Sequence, residues 1–170
     1  MSNREYPERP LVGVGGVVIA GDRALLVRRG TEPLRGEWSI PGGLLKAGET
    51  LFAGVVRELQ EETGLTVRVV EMIEAFERIF PDPAAAPGAP GAVPAKSAGK
   101  ASFAAQNVPA RPRYHYVILD YLCERIAGEP RAGGDVTDVV FASEAELPDY
   151  SLSPQALRVL RKGFAMIRAR

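Results

Sequence analysis

The chain has 170 residues, of which 46% are apolar and 25% charged, enough for one domain with a continuous core and too apolar overall for a disordered chain. Its 21 Lys and Arg residues balance 21 Asp and Glu residues, which excludes a protein that grips nucleic acid through bulk positive charge but leaves room for a local nucleotide site. One cysteine, Cys123, and one histidine, His115, exclude an intramolecular disulfide, a multi-cysteine zinc site and a histidine metal cluster, so any chemistry rests on carboxylates, Arg, Lys or backbone.

No apolar run reaches the ~18 residues of a membrane span. The polar stretch Met1 to Pro10 has no signal-peptide core. The expectation is a soluble cytoplasmic protein with no membrane partner.

Leu11 to Ala20 (LVGVGGVVIA) reads as a buried strand, Gly21-Asp22 as a turn and Ala24 to Arg28 as the returning strand. Gly30 to Gly36 is a loop, and Trp38 to Ile40 is a short extended piece stopped by a tight turn at Pro41-Gly42-Gly43. Thr50 to Thr63 has the helical period at Leu51, Phe52, Val55, Val56 and Leu59, with Thr50 as cap and Gly64 as stop. Leu65 to Val70 is strand-like, and the pattern continues less clearly to Phe80. Between Pro81 and Pro112, 21 of 32 residues are Ala, Pro or Gly, which predicts a flexible insert at 81–112 within a single domain spanning 1–170. Arg113 to Glu124 reads as a long central strand, Gly128 to Gly134 as a turn, Val136 to Ala142 as a strand and Pro154 to Arg168 as a helix. This order predicts an α/β fold, a mixed sheet with helices on both faces.

The segment Gly43 to Leu65 (GLLKAGETLFAGVVRELQEETGL) carries the chemistry. On a wheel started at Leu51, Glu58 falls near about −20°, Glu62 near about +20° and Glu61 near about −80°, at the edge of an apolar arc of roughly 0–140°. Like charges spaced this way repel, and a hard divalent cation turns the repulsion into coordination. Oxygen donors favour Mg²⁺, with Mn²⁺ able to substitute. Arg57 lies four residues before Glu61 and can pair with it. At Gly42 and Gly43 the missing Cβ lets carbonyls approach an ion and amides approach a phosphate. An ordinary solvated glutamate face would look similar if the helix stood alone.

The helix does not stand alone, because Gly43, Glu49, Arg57, Glu58, Leu59, Glu61, Glu62, Gly64 and Leu65 fall on the Nudix box without departure. The preceding GEWSIPGG, Gly36 to Gly43, is similar to the family as well. The resemblance implies the Nudix α/β/α sandwich from about Val12 to Phe164, outside the Ala/Pro insert. It implies metal ligation by Glu58, Glu62 and Glu61 with the Gly42 carbonyl, orientation of the carboxylates by Arg57, and bracing of loop and helix by Glu49. The implied reaction is Mg²⁺-dependent hydrolysis of a nucleoside diphosphate linked to another group.

Family members often add one acid from a loop outside the box, as metal ligand or base. Asp135 is the first choice here, with Glu129 and Asp138 behind it, against the reading of ordinary turn acids. Arg28 and Arg29 could bind phosphate, together with the Gly43 amide, or serve solubility. Trp38, Phe76 and Tyr116 could stack on a base, although aromatic residues are more often core. On the Arg113–Glu124 strand, Tyr114, Tyr116, Ile118, Asp120, Leu122 and Glu124 share one side, and His115, Val117, Leu119, Tyr121 and Cys123 the other. His115 is unpaired by any motif and a weak choice of base, and Cys123 reads as a core thiol. The basic C-terminal helix reads as a solvated face in preference to an RNA contact.

Within the family, RYHYVILDYLCE followed by GEP most resembles the ADP-ribose pyrophosphatase-like group. The expected substrate is thus ADP-ribose or a nucleotide sugar, a small molecule. A triphosphatase of the kind that removes 8-oxo-dGTP is the alternative enzyme. A non-catalytic nucleotide- or RNA-binding module is the alternative of another class, disfavoured because every box glutamate is kept. Isopentenyl diphosphate isomerase activity needs a histidine and cysteine set that this chain cannot fill. No stable nucleic-acid partner is expected, and a homodimer is compatible with the resemblance.

Overall fold

The computed structural model describes residues 4–82 and 112–170. The predicted flexible insert therefore lies outside the described residues, save for its ends. Pro81 closes one strand and Pro112 opens the next.

The strands are β1 (Leu11–Ala20), β2 (Arg23–Arg29), β3 (Trp38–Ser39), β4 (Gly42–Leu44), β5 (Thr66–Pro81), β6 (Pro112–Ala127) and β7 (Val136–Ser143). The helices are α1 (Leu51–Thr63) and α2 (Pro154–Arg168). The sheet runs β3-β2-β1-β6-β5, with β4 on β1 and β7 on β2. The expected mixed sheet and two helices are present, and β6 is interior as its composition predicts. One reading changes. Gly42 and Gly43 do not only turn the chain; they begin β4, pairing antiparallel with Gly15 and Val14 of β1. A residue with a side chain could not make this pairing at Gly42, where a Cβ would fall on the Val14 carbonyl oxygen and the backbone φ is 156°.

β1 parts from one partner and takes another along its length. It pairs with β4 over Gly13–Gly15 and with β2 at Ile19 and Ala20. β2 in turn is zipped to β7 from Arg23 to Arg29. Side chains alternate across β1. Val17 packs with Leu26, Leu122, Leu160 and Phe164 on the α2 side. Val14 and Val18 pack with Leu25, Val55, Leu59, Tyr121 and Cys123 on the α1 side. Each fully buried Leu or Val contributes about 1.5–3 kcal/mol of hydrophobic stabilisation.

Both helices are capped as their sequences dictate. The Thr50 hydroxyl accepts from the Ala53 amide, and Gly64 closes α1 in the left-handed region at φ 70°. The Ser153 hydroxyl accepts from Ala156 ahead of Pro154 at the first turn of α2.

The chain divides into two compact units, Met1–Leu11 with Glu77–Val117, and Val12–Phe76 with Ile118–Arg170. In the first, the Glu5 carboxylate accepts from Arg113 at 2.8 Å and from the Tyr114 hydroxyl at 2.7 Å. Tyr114 and Tyr116 stack with ring centroids 6.2 Å apart, and Phe80 meets both edge-on. The second holds both helices and all the box residues. No helix among the described residues is long and apolar enough to cross a membrane.

Candidate active site

The helical period sets three glutamates of α1 at different depths. Glu62 is buried, with 6% of its surface exposed. The Glu58 side chain is 13% exposed and that of Glu61 51%, in the order that the wheel predicts. Glu62 Oε2 accepts a 2.8 Å hydrogen bond from the Gly42 amide, which ties the start of β4 to the last turn of α1. Burial pushes the Glu62 carboxyl up to about 8. The Gly42 amide opposes that shift, while the nearby charges of Asp135 and Glu58 add to it. A carboxyl group buried among other carboxyl groups is a site short of positive charge.

Arg57 is the hub of the exposed edge. It donates from Nε to Glu49 Oε1 at 2.7 Å and from Nη2 to Glu49 Oε2 at 2.8 Å, a forked pair. Nη1 reaches Glu58 at 2.6 Å and Glu61 at 3.3 Å, and Nη2 also reaches the Leu44 carbonyl at 3.1 Å. Glu49 further accepts from the Lys46 amide at 3.0 Å. The Arg57 hydrogen bonds, helped by that amide, hold the Glu49 carboxyl down at about 2, and Arg57 itself is raised, first by Glu49. Loop, β4 and α1 are thus locked through one guanidinium. The Glu58 carboxyl group lies against Gly43, where a Cβ would stand 2.5 Å from its carbon.

Among the described residues, no three acidic side chains converge on one point. Glu58 and Glu61 are drawn to Arg57 instead. The donor set still suits a hard divalent cation. It offers oxygens only, more negative charge than Arg57 balances, and in Glu62 a buried carboxyl group with one hydrogen bond. Glu58, Glu61, Glu62 and the Gly42 carbonyl are the groups that could hold one.

The three acids considered outside the box separate. Asp135 lies within electrostatic reach of Glu62, and its Oδ2 accepts from the Thr31 hydroxyl at 2.8 Å. Its carbonyl accepts from the Gly30 amide at 2.8 Å. The Gly133 amide donates to the Glu62 carbonyl, so the 128–134 turn sits on the C-terminal end of α1. Glu129 is drawn to Arg125 at 3.0 Å, and Asp138 accepts from its neighbour Val139.

Other candidates are engaged inside the protein. Arg28 donates to the Gly36 carbonyl at 3.1 Å and Arg29 to that of Pro33 at 3.0 Å, so both guanidinium groups fasten the 30–36 loop. Trp38 meets Tyr150 edge-on at 5.2 Å, and Phe76 lies under Arg158. Tyr116 is in the stack already described. His115 is half-buried. Cys123 is buried, and burial pushes its thiol up to about 12, as suits an inert core residue. Three basic residues of the C-terminal helix pair within the protein, Arg158 and Lys162 with Glu74 and Arg168 with Glu144.

Sequence reasoning placed Asp120 only on one side of β6. The structure buries it, at 4% exposure, where a Cβ on Gly15 would fall on its Oδ1. Burial, with a smaller contribution from Glu74, pushes its carboxyl up to about 7. The available signal was an acid in an apolar alternation, between Ile118 and Leu122.

Known proteins resemble this chain in sequence and in fold. The model of the NUDIX domain matches residues 9–162. An ADP-ribose pyrophosphatase of Methanocaldococcus jannaschii is 28% identical over 148 residues, 87% of this chain and 70% of that protein. A MutT-like protein of Streptomyces ambofaciens is 42% identical over 66 residues, 39% of this chain and 42% of its own length. The crystal structure of a MutT NUDIX hydrolase from Burkholderia pseudomallei superposes with a TM-score of 0.66 at 24% identity, covering 91% of this chain and 98% of that one. The unbroken box, the sheet with a helix on each face and a family match over most of its length make this chain a member of the Nudix family of hydrolases.

Proposed function

We propose that this chain is a Mg²⁺-dependent pyrophosphohydrolase of nucleoside diphosphate derivatives, with ADP-ribose or a nucleotide sugar as its substrate. The observation that carries the proposal is the buried Glu62 carboxyl, fixed by the Gly42 amide and flanked by Glu58 and Asp135. The resemblance to an ADP-ribose pyrophosphatase over 87% of the chain supports the substrate class.

Glu58, Glu61 and Glu62 with the Gly42 carbonyl would hold the cation. When bound, it neutralises diphosphate charge and lowers the pKa of a nucleophilic water. Arg57 sets where the two outer carboxylates stand, and Glu49 fixes Arg57 from the other side. Gly43, whose missing Cβ leaves its place to the Glu58 carboxyl group, is assigned to the phosphate through its backbone amide. To Asp135, which accepts from Thr31 and lies within electrostatic reach of Glu62, we assign the removal of a proton from the attacking water. Arg28 and Arg29 keep the 30–36 loop in place beside the site.

The test is a screen of ADP-ribose, nucleotide sugars, dinucleoside polyphosphates and oxidised deoxynucleoside triphosphates, with and without Mg²⁺. Products are read by a coupled phosphomonoesterase and by chromatography. ADP-ribose should give AMP and ribose 5-phosphate with a higher kcat/KM than 8-oxo-dGTP. A triphosphate preferred by tenfold, about 1.4 kcal/mol of transition-state stabilisation, would overturn the substrate assignment.

A further inference from the structure

Four polar or charged residues are buried in the described structure: Glu62, Thr63, Asp120 and Ser153. Three of them have partners. The Thr63 hydroxyl donates to the Leu59 carbonyl at 2.5 Å, Ser153 accepts from the Ala156 amide at 3.2 Å, and Glu62 accepts from Gly42. Asp120 alone makes no hydrogen bond among the described residues. A buried carboxyl without a bond costs stability and returns nothing to the fold. Glu74, the charge that acts on it, is itself held by Arg158 at 2.6 Å and Lys162 at 2.7 Å.

Its position gives the carboxyl a use. Gly15 pairs with Gly42 across the β1–β4 ladder. Glu62 reaches Gly42 from the α1 side, whereas Asp120 presses on Gly15 from the α2 side, the face of Val17 and Leu122. One pair of glycines separates the two carboxyl groups. The Asp120 oxygens keep only a trace of solvent access, within the 4% exposure of the residue.

We propose that Asp120 is a specificity-determining acceptor, taking a hydrogen bond from a hydroxyl or amine on the nucleoside or sugar portion of the substrate. This rests on the function proposed above, since it assigns a site to the part of the substrate beyond the diphosphate. Binding a donor there replaces an unmade bond, so discrimination against analogues lacking it is strong.

The variants are Asp120→Asn, which keeps an acceptor oxygen, and Asp120→Leu, which removes it. For ADP-ribose hydrolysis, Asp120→Leu should raise KM tenfold or more with kcat changed less than threefold, and Asp120→Asn should recover most of the loss. The thermal midpoint of both variants at pH 8 should equal or exceed that of the parent, an outcome that a structural role for Asp120 forbids. Calorimetric titrations in EDTA with ADP-ribose, AMP and ribose 5-phosphate read binding without turnover. Affinity lost for AMP alone assigns the nucleoside as donor, and for ribose 5-phosphate alone the distal sugar. Unchanged KM and unchanged titrations in Asp120→Leu would overturn the inference, as would a fall in midpoint that accounts for the lost activity. A parent protein that hydrolyses no nucleoside diphosphate derivative would overturn the proposed function instead, and the titrations would still decide the role of Asp120.

Discussion

Glu62 and Gly42 stand 20 residues apart in the chain and are joined by a 2.8 Å hydrogen bond from the glycine amide to the carboxyl group. The bond fixes the α1 carboxyl at the point where β4 leaves the Pro41 turn. It does not relieve the charge shortage there, because burial dominates and the group still rises to about 8.

Glu62→Gln keeps the shape and the acceptor for Gly42 but removes the charge. Activity should fall by about 10²-fold or more, as when metal catalysis is disabled. The thermal midpoint in EDTA should hold or rise, since a destabilising buried charge is gone. Added Mg²⁺ should raise the midpoint of the parent by mass action and leave the variant nearly unmoved. Differential scanning calorimetry with and without Mg²⁺ checks both parts, and a variant as active as the parent would remove Glu62 from the site.

Gly43→Ala tests the packing of Glu58. The new Cβ would stand 2.5–2.6 Å from the atoms of the Glu58 carboxyl group, which Arg57 already holds at 2.6 Å. One of the two contacts has to yield. Activity should drop at least tenfold while the midpoint falls by only a few degrees, because the displaced group lies at the edge of the core. Steady-state kinetics beside a thermal melt separate the two effects, and equal losses in both would show a general loosening of β4.

Arg57→Lys keeps the charge and loses the fork. Lysine cannot bridge Glu49, Glu58, Glu61 and the Leu44 carbonyl together. The Glu49 carboxyl should climb from about 2 towards its ordinary value, which NMR titration of its side chain would follow. Because Glu49 is depressed in the folded state, its contribution to stability is present above the ordinary carboxylate range and is lost as pH falls towards 2. The stability gap between parent and variant should therefore be widest near neutrality and narrow on acidification.

The sign is opposite at Asp120. Its folded value of about 7 exceeds that of the unfolded chain, near 3.8, so the protonated carboxyl costs least at low pH and stability is lost as pH rises between those values. Each unit of the shift corresponds to about 1.4 kcal/mol. Asp120→Asn should remove this dependence. Urea unfolding at pH 4 should find the two proteins close, and at pH 8 should find the variant more stable. A parent more stable than Asp120→Asn at pH 8 would mean that the carboxyl has a partner in solution.

Local signals in the sequence carried much of the fold. The period of α1, its Thr50 cap and its Gly64 stop each follow from residues within a turn of where they act, and the structure sets the helix at Leu51–Thr63. The alternation of β6 separated Leu122 from Tyr121 and Cys123, and those sides face different helices. Pairings between distant segments were not legible. Gly42-Gly43 read as a turn because nothing near it says that Val14 and Gly15 wait across the ladder. Arg28 and Arg29 look like free cations in sequence, and only the path of the 30–36 loop brings the Gly36 and Pro33 carbonyls to them. Asp135 could be picked from a turn, but its nearness to Glu62 depends on how that turn sits on the end of α1.

The contact of Gly15 with Asp120 has a consequence for how this sequence can drift. A methyl group at position 15 would fall 2.2 Å from the Asp120 carboxyl oxygen, with the Pro41 carbonyl in ordinary contact at 3.4 Å. The two positions are separated by more than a hundred residues in the chain and yet are sterically one unit. Either alone is hard to change, but a smaller residue at 120 frees 15 to acquire a side chain. Among homologous sequences, alanine or serine at position 15 should accompany the loss of the acid on β6, a correlated exchange that spacing along the chain would never suggest.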